Sequence, residues 1–506
     1  MKYIFSIGII VMMGATNSQA QKKSAAPAMP PISKTATAPA KPAAATTELS
    51  TNSDSAFLKQ IYTFALTKSE CYTNLNYLCK NIGPRLTGSA NAERATTYCA
   101  DLLSNIGLSR TYKQPVTVPH WVRGEKESAI ATYYNEENLM IERRNEVAAR
   151  QKPINFVDRN LKVCALGGSV STPADGIRGK VVEVKRFSQL DSLGKAGVEG
   201  KIVFYNSPMD ATRINTFEAY GPAVQFRGKG ATQAAKYGAV ASVIRSVGSS
   251  IDDYPHTGAM RYDETITKIP GFALSTRDAE WLSKNLKSSP NTELLLKSSC
   301  KTLPDTQSSN VIGEWLGIEN PNEYIVVGGH LDSWDLAEGA HDDGAGVVQS
   351  IEAIRILKNL GYKPKHSIRC VLFMNEENGL KGGIEYANQA KEKKEKHIAA
   401  IETDAGGFAP RGFACEGDSS IKRQLKSFEK LFKPYNLHSF EHTGGGADIS
   451  RLKEQGCPLY ELEPESQRYF DVHHSGLDVF ESVNKRELEL GAASLAALIY
   501  LLDQGR

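Results

Sequence analysis

The chain has 506 residues, of which 41% are hydrophobic and 23% are charged, a composition typical of a globular protein. Its length exceeds what one hydrophobic core normally supports, so we expect two domains together with non-globular segments. The 60 basic and 57 acidic side chains give a formal net charge of +3. This near balance excludes the strong positive field by which many proteins bind nucleic acid or acidic membranes.

The N-terminal segment has the pattern of a secretory signal peptide. Lys2 precedes an apolar run over residues 4–14, and the small residues Ser18 and Ala20 form a cleavage pattern at the end of residues 1–20. A retained membrane anchor is the alternative, but the apolar run is shorter than the roughly 20 residues that span a bilayer. We therefore predict a secreted or periplasmic protein without a membrane anchor. Residues 21–55 follow as a disordered linker rich in Ala, Pro, Thr and Ser.

The rest of the chain divides into three segments by its sequence patterns. Residues 56–170 begin with helical periodicity and include a predicted helix over residues 90–106. Residues 171–295 contain short strand patterns such as GKVVEV, GKIVFY and VASVIR, and we expect a small separate domain there. Residues 296–506 alternate between strand and helix patterns.

This last segment predicts an α/β sheet with helices on both faces. We predict strands over residues 310–315, 324–329, 367–374, 399–403 and 459–463, and helices over residues 344–359, 383–396, 421–431 and 485–502. Alternating strands and helices place a functional site beyond the strand ends.

Metal-binding side chains follow the predicted strand YIVVGG. His330 comes directly after it, and Asp332 is placed to accept the second N–H of a metal-bound imidazole. Asp342 and Asp343 begin 12 residues after His330, in a Gly- and Ala-rich turn that allows close approach to an ion. Taken alone, these residues also fit a polar loop and an acidic helix start.

Three motifs nearer the C-terminus add candidate ligands. Glu376 and Glu377 end a strand in the motif MNEENG, where adjacent side chains diverge, so one carboxylate can bind metal while the other faces water. Asp404 follows the strand IAAIET. His473 and His474 form the only adjacent pair among the 10 histidines of the chain. Each motif alone also fits solvated polar residues.

Together these residues predict a metal site with nitrogen and oxygen ligands. Two imidazoles and three carboxylates suit zinc, with cobalt and manganese as alternatives. Five ligands exceed the three protein ligands usual for one catalytic zinc, which indicates two ions about 3.5–4 Å apart that share a carboxylate. The sequence therefore predicts a two-metal hydrolase.

The chain resembles the M28 family of dizinc exopeptidases, and within it the carboxypeptidase Q branch. The resemblance extends from Phe57 to the C-terminus through IGPRLTGS, VPHWVRGE, ALGGSVSTP, GKIVFYNSP, HTGAMRYD, GGHLDSWDLAEGAHDDGAG, MNEENG, ETDAGG, GGGADI and HHSGLD. It implies a three-layer α/β/α zinc-exopeptidase fold with a mixed central sheet. Residues 56–170 and 296–506 would form the peptidase domain, and residues 171–295 an inserted protease-associated domain that acts as a lid.

The resemblance also implies two zinc ions (Zn²⁺) per subunit. In the family pattern, His330 and Asp404 hold one ion and Glu377 and His474 hold the other. Asp342 then bridges the two ions.

Further roles follow from the same resemblance. Glu376 would be the general base, and Asp332 would support His330. His473 stands where many members carry a Tyr, so the contact to the oxyanion would come from an imidazole. The peptide bond after Asp342 is expected to be cis.

The predicted activity is hydrolysis of dipeptides or short peptides by a water activated at the metals. The alternatives are an aminopeptidase for longer peptides, a receptor-like relative without metals and a single-zinc glutaminyl cyclase. The intact ligand set argues against the last two. Arg85, His256, Arg261 and Asp448 are candidate substrate contacts. We expect a peptide substrate, no nucleic acid partner and, from the resemblance, a homodimer.

Overall fold

The computed structural model describes residues 54–134 and 156–505, which form two β-sheets surrounded by helices. The predicted signal peptide at residues 1–20, nearly all of the predicted linker at residues 21–55, and residues 135–155 lie outside the described residues. Within the described ranges, no helix is long and apolar enough to cross a membrane.

The strands and helices have the following bounds. The strands are β1 (Arg110–Val122), β2 (Ser128–Tyr134), β3 (Phe156–Leu161), β4 (Val163–Ala165), β5 (Ile177–Val184), β6 (Ile202–Tyr205), β7 (Ala241–Arg245), β8 (Gly271–Leu274), β9 (Glu293–Lys297), β10 (Lys301–Trp315), β11 (Asn320–His330), β12 (His366–Phe373), β13 (Lys396–Glu402), β14 (Pro410–Glu416) and β15 (Leu459–Pro464). The α-helices are α1 (Asp54–Lys68), α2 (Cys71–Tyr77), α3 (Ala90–Asn105), α4 (Phe187–Val198), α5 (Thr216–Ala235), α6 (Thr276–Ser288), α7 (Ala345–Asn359), α8 (Glu376–Gly379), α9 (Lys381–Glu392), α10 (Ser419–Phe432), α11 (Tyr469–Val472) and α12 (Lys485–Asp503). Shorter helical turns occupy Leu78–Ile82, Ala340–Gly344, Lys433–Tyr435, Asp448–Gln455 and Phe480–Ser482.

The first sheet is mixed, with strand order β1-β10-β12-β11-β13-β15-β14. Its centre is parallel, because β11 pairs in parallel with β12 and β13, and β13 pairs in parallel with β15. Antiparallel pairs close both edges, through β1, β10 and β12 on one side and β14 with β15 on the other. The five strands predicted after residue 296 are all present. The edge strands β1 and β14 were not predicted.

Helices cover both faces of this sheet because alternate strand residues face opposite sides. On one face, Val327 and Ile401 pack in a core shared with Leu495 of α12. On the other face, Val326 packs in a second core that includes Tyr386 of α9. The three-layer α/β/α arrangement with a mixed central sheet is therefore confirmed.

The second sheet has the strand order β3-β2-β9-β5-β6-β7-β8-β4. Helices α4 and α5 pack on it through Leu190 and Phe226, and α6 packs through Leu282. Strands β2, β3 and β4 precede residue 171, so the sheet begins earlier in the chain than the predicted insertion at residues 171–295. The division into a peptidase domain and a protease-associated domain stays a prediction.

Candidate metal centre

The candidate site lies at the carboxyl ends of the adjacent strands β12, β11 and β13. Gly328 of β11 pairs with Glu402 of β13, so His330 and Asp404, each two residues further on, come level with one another. The end of β12 lies beside His330 and leads directly into Glu376. This edge is where open α/β sheets place their ligands, and the parallel register explains why side chains distant in sequence meet there.

The Asp342 carboxylate lies between two imidazoles. Its Oδ1 is 3.1 Å from Nε2 of His330, and its Oδ2 is 3.1 Å from Nε2 of His474. Oδ1 of Asp404 is 3.3 Å from the same His330 nitrogen, and Oε2 of Glu377 is 3.1 Å from the same His474 nitrogen. Each imidazole nitrogen thus faces two carboxylates, and Asp342 belongs to both groups.

The side chains fit a pair of zinc ions. Two ligand atoms that each lie about 2.0–2.1 Å from a tetrahedral ion are roughly 3.3 Å apart, which is close to the separations in this cluster. Ligand atoms lie within 4.8 Å of one another in two groups, His330 with Asp342 and Asp404, and Asp342 with His473 and His474. Among the residues that the structure describes, none donates a hydrogen bond to the buried Oε1 of Glu377, which leaves this oxygen available to an ion.

Crowded carboxylates shift the pKa values of the site. Burial opposes protonation of both metal-facing imidazoles, yet the surrounding carboxylates outweigh it. They raise the pKa of His330 well above its usual range and that of His474 to about 10. Burial raises the pKa of Glu377 to about 7. The buried carboxylates therefore outnumber the positive charges near them. Bound divalent cations would supply the missing positive charge.

Two further carboxylates hold the loop that carries Asp342. Asp343 accepts hydrogen bonds from the backbone N–H groups of His330 and Gly346, both at 2.9 Å. Asp478 accepts the N–H of Asp342 at 3.1 Å. The peptide bond between Asp342 and Asp343 is cis, as the family resemblance implies. The motifs that contain Asp343 and Asp478 were recognised in the sequence, but their supporting roles were not.

Asp332 contacts its neighbours differently from the prediction. Nδ1 of His330 is 3.0 Å from the main-chain oxygen of Asp332 but 3.9 Å from its carboxylate. The carboxylate instead accepts the N–H of Asn375 at 2.7 Å, the N–H of Glu376 at 3.1 Å and the hydroxyl of Thr87 at 2.7 Å. The carboxylate of Asp332 therefore positions Glu376, and the support for His330 comes from the Asp332 carbonyl.

His473 lies beside the ligand cluster. Its ring stacks on His474 with centroids 3.6 Å apart, and its Nε2 is 3.7 Å from Oδ2 of Asp342. Burial lowers the pKa of His473 well below its ordinary value, so the ring is neutral and has one N–H available to donate. Both imidazoles face the same oxygen, and His474 is the closer of the two.

The four predicted substrate contacts have different surroundings. Arg85 is fully buried and donates to three main-chain oxygens between residues 331 and 339, so it supports the loop after β11; this corrects its prediction as a substrate contact. The side chain of Arg261 is exposed. His256 and Asp448 are buried, and within residues 54–134 and 156–505 neither side chain makes a hydrogen bond of acceptable geometry. For the last three, substrate contact stays a prediction.

The second sheet also reaches the metal centre. In the segment after β7, Thr257 donates its backbone N–H to the main-chain oxygen of His474 at 2.9 Å, and its own oxygen is 3.3 Å from Nδ1 of His474. A metal-bound imidazole usually donates its second N–H to such a carbonyl. Nη1 of Arg227, on α5, is 3.2 Å from the same nitrogen. Sequence analysis quoted the motif HTGAMRYD, which contains Thr257, without giving this residue a role, and it missed Arg227.

Comparisons with known proteins identify the family of the chain. Residues 310–499 match the model of peptidase family M28. The chain is 35% identical over 435 residues to carboxypeptidase Q of Homo sapiens, a match that covers 86% of this chain and 85% of the human protein.

Two solved structures share the architecture. A peptidase M28 precursor from Shewanella amazonensis SB2B has 31% sequence identity and a TM-score of 0.80, covering 89% of this chain and 96% of that one. A zinc aminopeptidase from Bacillus subtilis has the same fold at 19% identity, with a TM-score of 0.57 over 85% of this chain and 94% of that one. Because the sequence similarity extends over most of its length, the chain belongs to peptidase family M28, as a carboxypeptidase Q-like zinc metallopeptidase.

Proposed function

We propose that this protein is a secreted exopeptidase that hydrolyses dipeptides or short peptides with two zinc ions per subunit. The observation that carries the proposal is the Asp342 carboxylate between His330 and His474, each of which faces a further carboxylate. In this proposal His330 and Asp404 would hold one zinc and Glu377 and His474 would hold the other. The Asp342 carboxylate would serve both.

The remaining residues carry out the proton transfers. When bound, the ions supply Lewis-acid polarisation of a peptide carbonyl and make water more acidic. Glu376 takes a proton from the attacking water and passes it to the leaving amine. Asp332 holds Glu376 in position through its backbone N–H. The neutral ring of His473 donates its N–H to the substrate oxygen that becomes negative during the reaction.

A cleft opens at the metal centre, and its lining includes Trp334, Leu336, Gly339, Asp342 and His474. The proposed preference for short peptides rests on the family resemblance. The proposed secretion rests on the signal-peptide pattern of residues 1–20, and the proposed homodimer rests on the family resemblance.

Zinc analysis combined with a peptide panel tests the proposal. We expect two zinc ions per subunit, release of free amino acids from dipeptides, loss of activity on chelation and recovery when zinc is returned. Turnover restricted to longer peptides, from their amino ends, would favour an aminopeptidase. Ammonia release from an N-terminal Gln would favour a glutaminyl cyclase. A fully zinc-loaded protein that cleaves no peptide would contradict the proposed function.

The general base is tested by Glu376→Gln. We expect this variant to retain zinc and to lose on the order of 10²–10⁴ in kcat, because an amide cannot accept the proton from water. Glu392→Gln, at an exposed position on α9, is the matched control and should retain wild-type turnover. Elemental analysis and steady-state kinetics on the same samples give both readouts. Near-normal turnover by the Glu376 variant would remove this residue from the mechanism.

A further inference from the structure

The loop that carries Asp404 has little main-chain support of its own. It follows β13, and of the backbone N–H and C=O groups of residues 404–408, only the N–H of Gly407 forms a hydrogen bond with another residue that the structure describes. The acceptor is Nδ1 of His341, at 3.1 Å. The position of the Asp404 carboxylate therefore depends on a side chain from a different loop.

His341 is the residue directly before Asp342, and its surroundings fix its ring. The side chain is fully buried, and the backbone N–H donates to Oδ1 of Asp478 at 2.7 Å. Because Nδ1 accepts a hydrogen bond it carries no proton, so the imidazole is neutral and has its hydrogen on Nε2. One residue thus connects the turn of Asp342 to the loop of Asp404.

An aromatic stack extends this connection to a third ligand-bearing segment. The His341 ring lies nearly parallel to the ring of Phe408, with centroids 4.2 Å apart and an interplanar angle of 9°. Phe408 packs in a small core with Tyr469 and Phe470. These two residues belong to α11, the helix just before the adjacent histidines that include His474. The stack therefore fixes the orientation of the imidazole ring.

The two loops that His341 joins depend on it to different degrees. The turn of Asp342 has further support, because Asp478 accepts the N–H of Asp342 and Asp343 accepts two backbone N–H groups. Residues 404–408 have no second main-chain hydrogen bond to any described residue. Loss of the His341 acceptor would therefore displace Asp404 more than Asp342.

We propose that His341 is a positioning residue that holds the Asp404 carboxylate in the metal centre. It does so through the hydrogen bond from Gly407 and the stack on Phe408. This inference rests on the ligand assignment of the proposed function and deepens it, since it names a side chain on which the affinity of one zinc ion depends. That ion is the one that His330 and Asp404 would hold. Side chains that orient metal ligands commonly change metal affinity about 10- to 100-fold when they are replaced.

Two substitutions separate the hydrogen-bond acceptor from the ring. His341→Phe keeps a ring that can stack on Phe408 but removes the acceptor, whereas His341→Asn supplies an amide oxygen in place of Nδ1 without the stack. In zinc titrations against a competing chelator, His341→Phe should bind one of the two ions about 10- to 100-fold more weakly than the wild type and the other unchanged. His341→Asn should retain most of the wild-type affinity for both ions. Unchanged zinc affinity in His341→Phe, or an equal loss in the two variants, would overturn the proposal.

Two comparisons distinguish positioning of Asp404 from general destabilisation. His397→Phe replaces a buried histidine at the start of β13, at the opposite end of the strand, and should lower stability without weakening zinc binding. Asp404→Asn should weaken the same ion as His341→Phe. The double variant His341→Phe/Asp404→Asn should therefore bind the remaining ion as tightly as Asp404→Asn alone. If the double variant binds that ion more weakly, His341 acts through Asp342 instead, and the proposal fails.

Hydrogen exchange of the zinc-loaded protein measures the same contact without turnover. Within residues 404–408 of the wild type, we expect the Gly407 amide to exchange more slowly than its neighbours, because it alone is hydrogen-bonded. This protection should be lost in His341→Phe and kept in His341→Asn. If His341→Phe does not fold, the other two proteins decide the question, since an unprotected Gly407 amide in either one overturns the proposal. Should the wild type cleave no peptide, the proposed function fails, yet the zinc titrations and the exchange still test His341.

Discussion

Individual residues of the metal centre are distinguished by the atoms they face. His474 adopts a left-handed backbone conformation, with φ of 60°, which is uncommon for a residue other than glycine and is concentrated at functional sites. Its Nε2 lies 3.1 Å from both Asp342 and Glu377, whereas Nε2 of the stacked His473 is 3.7 Å from Asp342. These distances favour His474 and Glu377 as ligands, with His473 as a donor to the substrate.

A pair of substitutions tests this assignment. Glu377→Gln should reduce bound zinc from two ions to one per subunit, because a neutral amide is a poor zinc ligand. His473→Phe should keep both ions and the stacking on His474. Its kcat should fall by about 10²–10³-fold, because phenylalanine has no N–H to donate to the substrate oxygen. Elemental analysis after dialysis and steady-state kinetics measure the two effects. If His473→Phe loses an ion while Glu377→Gln keeps both, the two residues exchange roles.

At the scale of elements, the metal centre depends on how closely α7 approaches β13. A Cβ added at Gly346, in the first turn of α7, would lie 1.9 Å from the main-chain oxygen of Thr403 and 2.3 Å from Oδ1 of Asp343. Only glycine allows this close contact. The contact leaves the Asp343 carboxylate where it accepts the backbone N–H of His330. The small residues of the turn therefore bring the loop of Asp342 against the strand ends.

Gly346→Ala is expected to disrupt the metal centre, although Gly346 is not itself a proposed ligand. The added methyl group must push α7 away from β13, so we expect a loss of about 1–3 kcal/mol in unfolding free energy and weaker zinc binding. Gly228→Ala is the matched control, because a Cβ at this position of α5 meets no atom within 4 Å. That control should be neutral or stabilising by up to about 1 kcal/mol. Denaturant titration and zinc analysis give the comparison, and wild-type behaviour of Gly346→Ala would contradict the packing argument.

For the whole molecule, a second buried polar network lies at the amino ends of the parallel strands, opposite the metal centre. Arg369 pairs there with Glu314 and Glu395, and it donates to the hydroxyl of Tyr386 at 2.9 Å. That hydroxyl is 2.8 Å from Nε2 of His397, and because it accepts from Arg369 its own hydrogen can be donated to this nitrogen in a neutral imidazole. Burial lowers the pKa of His397 from 6.5 to about 4. The fold therefore requires a neutral His397.

This requirement makes stability depend on pH. Between pH values of about 6.5 and 4 the unfolded chain binds a proton at His397 and the folded protein does not, so stability falls as the pH falls through this range. The contribution of this residue is at most about 1.4 kcal/mol for each pH unit. His397→Gln should show a shallower decline in denaturant titrations across that range than the wild type. His438→Gln, at an exposed histidine, should follow the wild type, and equal slopes for all three proteins would refute the assignment.

Part of this architecture was predictable because its signals are local. Strand periodicity located β10, β11, β12, β13 and β15, and the residues at or just after the ends of three of them supplied His330, Glu376, Glu377 and Asp404. The carboxyl ends of parallel strands meet at one edge of a sheet, so ligands at strand ends could be expected to converge. The strands β1 and β14, which pair antiparallel at the two edges of the sheet, were not recognised from the sequence.

The sequence by itself determined the residue types of the metal centre and their places at the strand ends, because both are properties of short segments. Only the tertiary structure decided what surrounds them: the Asp332 carboxylate turned to Glu376, the carbonyl of Thr257 beside His474, and the guanidinium of Arg227 beside the same imidazole. Thr257 and Arg227 come from the second sheet, and they lie more than 200 residues before His474 in the chain. Contacts over such separations depend on how two sheets pack, and no local periodicity or spacing records that packing.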